Sequence, residues 1–188
     1  PSIVAHGVHL NDEEIEILAR HNVGVSHNPG SNLKLASGVA RVTDLLKAGV
    51  KVSLGTDGAA SNNNLDMFEE MRLAALIHKG VSGDPTAVPA PEALRMATEY
   101  GAQSIFLNNV GRLAVGMKAD FIAIDIDQPH LLPHTDLLSH AVYSASAKDV
   151  EHVWVNGKQV IKHGQCLTLD EEAIRRKAQE AFEGLLKR

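Results

Sequence analysis

Four residues combine a reactive side chain with a setting suited to chemistry: Asp57, His6, His27 and Ser61. Asp57 follows the apolar run 50–54 and leads into a loop of small residues, Gly58-Ala59-Ala60-Ser61-Asn62-Asn63. A carboxylate placed there can bind a metal ion and take a proton from a water whose pKa the ion lowers to about 7. An Asp-Gly pair can also be a plain turn between two strands. A helical pattern follows Asp57 rather than a strand, which argues against the turn. His6 lies 51 residues earlier, at the end of its own short apolar run. An imidazole there can orient a water, shuttle a proton or bind a metal, although a lone strand-end histidine is often structural. His27 holds the matching place after residues 23–26, where it is expected to face a substrate. The Asn28-Pro29 pair beside it signals by itself only a turn. Ser61 and Asn62 can donate hydrogen bonds to a polar ligand, or serve the helix that their loop precedes.

Other chemistries find little support. The remaining histidines, His78, His130, His134, His140, His152 and His163 among them, are scattered without His-x-His or His-x₃-His spacing. They read as surface or packing residues. Cys166 is a lone thiol with no basic neighbours to activate it. Neither glycine-rich phosphate-binding pattern occurs.

The candidate residues need elements to hold them, and the pattern supplies these. Asn11 begins a capping box with Glu14, opening a helix whose apolar face is Ile15, Leu18 and Ala19. A Gly/Ser/Asn-rich loop is expected over 29–38, then a helix through Val39, Val42, Leu45 and Leu46 that closes at Gly49. Strand, polar residue and helix therefore recur three times, which predicts parallel βαβ packing with the polar residues at the carboxyl ends of the strands. A closed (β/α)₈ barrel keeps its catalytic groups there but needs roughly 250 residues. Three units read as the last three strands of such a TIM-type barrel, and the opening Pro1-Ser2-Ile3 as the inside of something larger.

Downstream, Asn64 is expected to cap a long helix with Leu65, Phe68, Met71, Ala75 and Leu76 on one face, and Pro91 to open a helix carrying Leu94, Ala97 and Ala102. The pattern changes at Gly111. Residues 119–125 read as a strand and 153–161 as a hairpin on an Asn-Gly turn. Thr168 and Glu171 read as a capping box for a last helix with Ile174, Ala178, Ala181, Phe182 and Leu185 turned inward. The expected organisation is an α/β chain: a barrel portion over 1–110, then a β-rich segment over 111–188 with a terminal helix.

Composition narrows the class. The chain has 188 residues, 44% hydrophobic and 22% charged, which is globular rather than disordered. A net charge of −5 without a basic run argues against nucleic acid and anionic membranes as partners. No run reaches the ~18 apolar residues of a membrane helix. A single cysteine fits a reducing compartment, so a cytoplasmic location is expected.

Three segments carry a resemblance. Residues 4–10 (Val-Ala-His-Gly-Val-His-Leu), 26–35 (Ser-His-Asn-Pro-Gly-Ser-Asn-Leu-Lys-Leu) and 54–63 (Leu-Gly-Thr-Asp-Gly-Ala-Ala-Ser-Asn-Asn) resemble the amidohydrolase superfamily. The nearest branch is the methylthioadenosine/S-adenosylhomocysteine deaminases, beside chlorohydrolase and guanine deaminase-like enzymes. Gly111-Arg112-Leu113 through Phe121 is similar to the passage where such chains leave the barrel for a small β-sandwich. The resemblance implies a metal-dependent aminohydrolase of adenosine-like substrates, with one divalent ion, zinc first and iron or manganese next. Asp57 would be the metal ligand from the last barrel strand, a substrate contact and the general base. His6 would be the sixth-strand histidine beside the reacting water, and His27 and Ser61 would face the purine nucleoside-like substrate. The family's first-strand His-x-His pair, its fifth-strand histidine and its His-x-x-Glu acid have no counterpart here and would precede Pro1. The chain alone is then expected to be inactive, and the complete protein a homo-oligomer. The other readings are a different amidohydrolase (chlorohydrolase, guanine deaminase or imidazolonepropionase-like) and a non-catalytic barrel remnant serving as an interaction module.

Overall fold

The computed structural model describes residues 2–187. The first half alternates strand and helix: β1 Ile3–Ala5, α1 Asp12–Arg20, β2 Gly24–His27, α2 Pro29–Lys34, α3 Val42–Lys47, β3 Val52–Leu54, α4 Ala59–Asn62 and α5 Met67–Ser82. Two helices, α6 Ala90–Ala97 and α7 Glu99–Ser104, follow. The strands pair in the order β1-β2-β3, parallel throughout, with Val4 opposite Val25 and Val25 opposite Val52. Successive side chains of a strand alternate between faces. Val25, Val52 and Leu54 thus share a face and enter one apolar core with Val42, Leu45, Met71, Ala74, Ala93 and Met96 from the helices. Fully burying a side chain such as Leu45 contributes roughly 1.5–3 kcal/mol.

Local signals explain most boundaries. Asn11 and Glu14 form the reciprocal capping box expected for α1. The cap of α5 is Asp66 rather than Asn64: its carboxylate accepts the Phe68 amide at 2.8 Å. Leu65 and Leu76, expected inward, are exposed, Leu65 lying before the helix begins, and the buried stripe of α5 is Glu70, Met71, Ala74, Ala75 and His78. The expected loop over 29–38 begins instead as α2. Pro29 suits a first helical turn, but Gly30, Ser31 and Asn32 are weak helix formers that conceal it. The helix expected after Pro91 is broken at Thr98 (φ −128°, ψ −88°) into α6 and α7.

The second half holds β4 Phe121–Ile124, α8 Leu137–Tyr143, β5 Val150–Val155, β6 Lys158–Lys162, β7 Gln165–Cys166 and α9 Glu171–Leu186. Its four strands form an antiparallel sheet, β4-β5-β6-β7, with Phe121 stacked on Trp154 at 4.5 Å. Asn156 and Gly157, both at positive φ, make the two-residue turn from β5 to β6 that the sequence predicts. The cap of α9 is Asp170, bonded to the Ala173 amide, and not Thr168. The expectation of an inward face on α9 is overturned: no residue of that helix is buried, and Phe182 is 55% exposed. Its apolar stripe meets no partner surface among the described residues. No helix among the described residues is long and apolar enough to cross a membrane.

Candidate active site

Because the three strands run parallel, the residues that leave them emerge at one end of the sheet. His6 follows β1 directly, and its amide donates to Ser26 O at 2.8 Å. Asp57 lies three residues beyond β3. Both adopt left-handed backbone conformations, with φ 66° at His6 and 61° at Asp57. Such conformations cost energy in residues other than glycine and recur at functional sites. They turn the two side chains from opposite edges of the sheet toward each other across the end of β2. His6 Nε2 comes to 4.0 Å from Asp57 Oδ2.

The first turns of α2 hold both groups. Ser31 donates its hydroxyl to Asp57 Oδ2 at 2.7 Å, while the Oδ1 of neighbouring Asn32 meets His6 Nδ1 at 2.8 Å. Ser61 of α4 donates a second hydroxyl to the same Asp57 oxygen, also at 2.7 Å. Hydrogen bonds from Ser61 and Ser31, with a backbone contribution from Gly58, hold the Asp57 carboxyl at about 2, well below its usual value. With Asn32 Oδ1 accepting, the neutral His6 ring carries its proton on Nδ1 and turns the lone pair of Nε2 toward Asp57. Two electron-rich atoms then face each other beyond direct hydrogen-bond range. A water or a cation fits that arrangement. A carboxylate oxygen and an imidazole nitrogen are donor types that zinc accepts. Both residues remain solvent-accessible, with side chains 36% exposed at Asp57 and 41% at His6.

His27 is placed differently. Strand alternation sets it on the same face as Val25, in the core beneath α5, where it is 1% exposed. Its Nε2 lies 3.1 Å from Nε2 of His78. Burial, together with the other imidazole, holds His27 down at about 3; burial and Lys79 hold His78 at about 4. The pair is neutral, one ring donating to the other. The expected substrate-facing role for His27 has no solvent-facing atom to support it in these residues. Ser61 is spent on Asp57, so it acts here on the carboxylate itself.

Reasoning from sequence passed over Ser31, Asn32 and Glu70. Glu70, 1% exposed, accepts the Gly30 amide at 2.9 Å and the Asn62 side-chain amide at 2.7 Å. A signal was available: Glu70, Ala74 and His78 stand four apart on one face of α5, so two ionisable residues share its buried stripe. Ser31 and Asn32 stood in the segment read as a loop, where polar residues are unremarkable.

Elsewhere among the described residues one cluster has donors close enough for a metal. Glu151, His152 and His163 bring three donor atoms within 4.8 Å of one another. His152 Nδ1 accepts the His163 amide, which leaves the proton of the neutral ring on Nε2, and His163 Nδ1 is 2.9 Å from Glu151. That is a histidine–glutamate contact with a neighbouring imidazole, not a free ligand set.

Comparison with known proteins adds to this geometry. The amidohydrolase family model matches residues 2–160. A 5-methylthioadenosine/S-adenosylhomocysteine deaminase of Pelotomaculum thermopropionicum is 57% identical over 180 residues, 96% of this chain and 42% of that protein. The Bacillus cereus deaminase of the same name is 55% identical over 93% of this chain and 40% of its own length. Among solved structures, a zinc-bound adenosine deaminase of Xanthomonas campestris superposes with a TM-score of 0.96 at 36% identity, covering 99% of this chain and 43% of that one. The zinc complex of atrazine chlorohydrolase from Arthrobacter aurescens gives 0.88 at 28% identity, over 95% of this chain and 40% of that one. The chain thus spans about two fifths of the length of the relatives it matches.

Proposed function

The chain belongs to the amidohydrolase family, and from that membership we propose that the whole protein containing it is a hydrolytic deaminase of adenosine-like thioether nucleosides. The substrate class comes from relatives that are 55–57% identical across nearly all of these residues. In this reading β1, β2 and β3 are the last strands of a barrel, residues from about 111 onward form part of a small second domain, and the carboxyl ends of the strands are its catalytic mouth. The observation that carries the chemistry is the Asp57 carboxylate, fixed by two serine hydroxyls and facing the open lone pair of His6.

Asp57 and His6 would stand at the divalent ion, zinc being favoured by the zinc-bound relatives. When bound, the ion supplies a water with a pKa near 7. Asp57 accepts the proton of the attacking water, a task suited to a carboxylate that is already ionised and held in place. His6 Nε2 accepts a hydrogen bond from that water and aims it at the amidine carbon bearing the amino group. Water adds, the carbon–nitrogen bond breaks, and ammonia leaves with an oxygen in its place. The His-x-His pair and the His-x-x-Glu acid of the family do not occur in these 188 residues; in this reading they, and the fifth-strand histidine, would be supplied from outside them.

The test is ammonia release by the whole protein from a panel of methylthioadenosine, S-adenosylhomocysteine, adenosine and guanine. Release from the thioether nucleosides is expected, and Asp57→Asn should lower it by roughly 10²–10⁴. Full turnover with retained zinc in that variant would remove Asp57 from the mechanism. Release of chloride from a chlorotriazine, without ammonia from any nucleoside, would favour the chlorohydrolase reading instead.

A further inference from the structure

Both serines that bond Asp57 sit beside a residue held by one buried carboxylate. Ser31 follows Gly30, whose amide donates to Glu70 Oε2 at 2.9 Å; Ser61 precedes Asn62, whose side chain donates to Glu70 Oε1 at 2.7 Å. The two segments come from different parts of the chain, one after β2 and one after β3. Glu70 reaches them from α5, and it is 1% exposed. The fit leaves no slack: a Cβ at Gly30 would stand 2.2 Å from Glu70 Oε1 and 2.8 Å from Asn62 Nδ2.

We propose that Glu70 is a positioning residue for Asp57: it ties α2 to α4 so that Ser31 and Ser61 converge on a single oxygen of that carboxylate. The role rests on Asp57 being the reactive carboxylate of the proposed function. Burial pushes the Glu70 carboxyl pKa up, while the Gly30 and Asn62 bonds, one to each oxygen, pull the other way and favour the carboxylate. Both partners are donors, so two acceptor oxygens are needed. A glutamine offers one oxygen and one NH₂, and the NH₂ must face a donor. An unmatched buried donor is costly, so one of the two segments moves away, carrying its serine with it. Groups that orient a metal ligand from behind typically change metal affinity 10–100-fold when removed.

Glu70→Gln in the whole protein tests this, with Asn62→Ala as the second variant because it removes only one leg of the tie. Crystal structures of the metal-free variants give a readout that needs neither zinc nor substrate. At least one serine oxygen is expected to lie beyond ~3.5 Å from Asp57 Oδ2, outside hydrogen-bond range. Zinc affinity, measured by chelator competition, is expected to fall at least about tenfold, with kcat lowered more than KM. The decisive comparison repeats Glu70→Gln in a Ser31→Ala/Ser61→Ala background, where less than about a twofold further loss is expected because the coupled route is already gone. A full additional loss in that background, or both serine bonds intact in the variant structures, would overturn the proposal. If the unsubstituted protein binds no zinc, the metal reading fails, while the serine distances still decide the role of Glu70.

Discussion

His6 Nε2 stands 4.0 Å from Asp57 Oδ2 although the two residues leave opposite edges of the parallel sheet. The gap is bridged from the middle strand. Ser31 and Asn32, adjacent in α2, bond one partner each, so a single turn of helix sets the distance between the carboxylate and the imidazole. The orientation of His6 depends on a neutral amide, and that of Asp57 on hydroxyls. No second charge is needed to hold either one.

The serine contacts should be measurable on the carboxylate they serve. Ser61→Ala removes the largest influence keeping Asp57 acidic, at about 2. Its carboxyl pKa is expected to rise toward the ordinary value near 3.8, and further with Ser31→Ala added. Carbon-13 NMR titration of labelled aspartate in the metal-free protein checks this; an unmoved Asp57 resonance would contradict the assignment of those hydroxyls.

Acid should destabilise the fold in a window set by the buried imidazoles. His27 at about 3 and His78 at about 4 lie below the ordinary 6.5, so the folded state resists protons that the unfolded chain accepts. Their contribution is complete above about pH 6.5 and is lost as pH falls toward their folded values, at up to ~1.4 kcal/mol per pH unit for each ring that stays neutral. Urea melts from pH 7.5 to 4.5 are expected to show falling stability with falling pH. His78→Gln should flatten that slope. An unchanged slope would mean that the pair is not what acid attacks.

Leu45 gives the core test. It has no exposed surface and packs in the cluster that joins α3 to the sheet. Leu45→Ala is expected to destabilise by about 2–5 kcal/mol, read from the shift of the denaturation midpoint. Leu76→Ala, on the exposed side of α5, should cost well under 1 kcal/mol. Equal losses at the two positions would contradict the packing described.

The 188 residues on their own are expected to self-associate. Both residues of the pair Ile3 and Val4 on the edge strand β1 are exposed, as are Ile174, Phe182 and Leu185 on α9. Edges and apolar stripes of this kind seek partners. Light scattering across a dilution series should show growth in mass with concentration. A monodisperse monomer with one cooperative melt would refute the expectation.

The amino-acid sequence alone determined the local features of this protein. The Asn11–Glu14 capping box, the Asn156-Gly157 turn and the strand–polar–helix rhythm arise between near neighbours, where hydrogen-bonding reach and side-chain periodicity are visible in the order of residues. That order also singled out His6 and Asp57, because each follows an apolar run directly or within a few residues. Tertiary structure decided the rest. His27 looked equivalent to His6, yet strand alternation turned it inward onto His78, a residue 51 positions away. The segment after Pro29 looked like loop because its weak helix formers are stabilised by Glu70 from a distant helix. Burial and long-range hydrogen bonds depend on which elements meet, and composition at one position does not encode its distant partner.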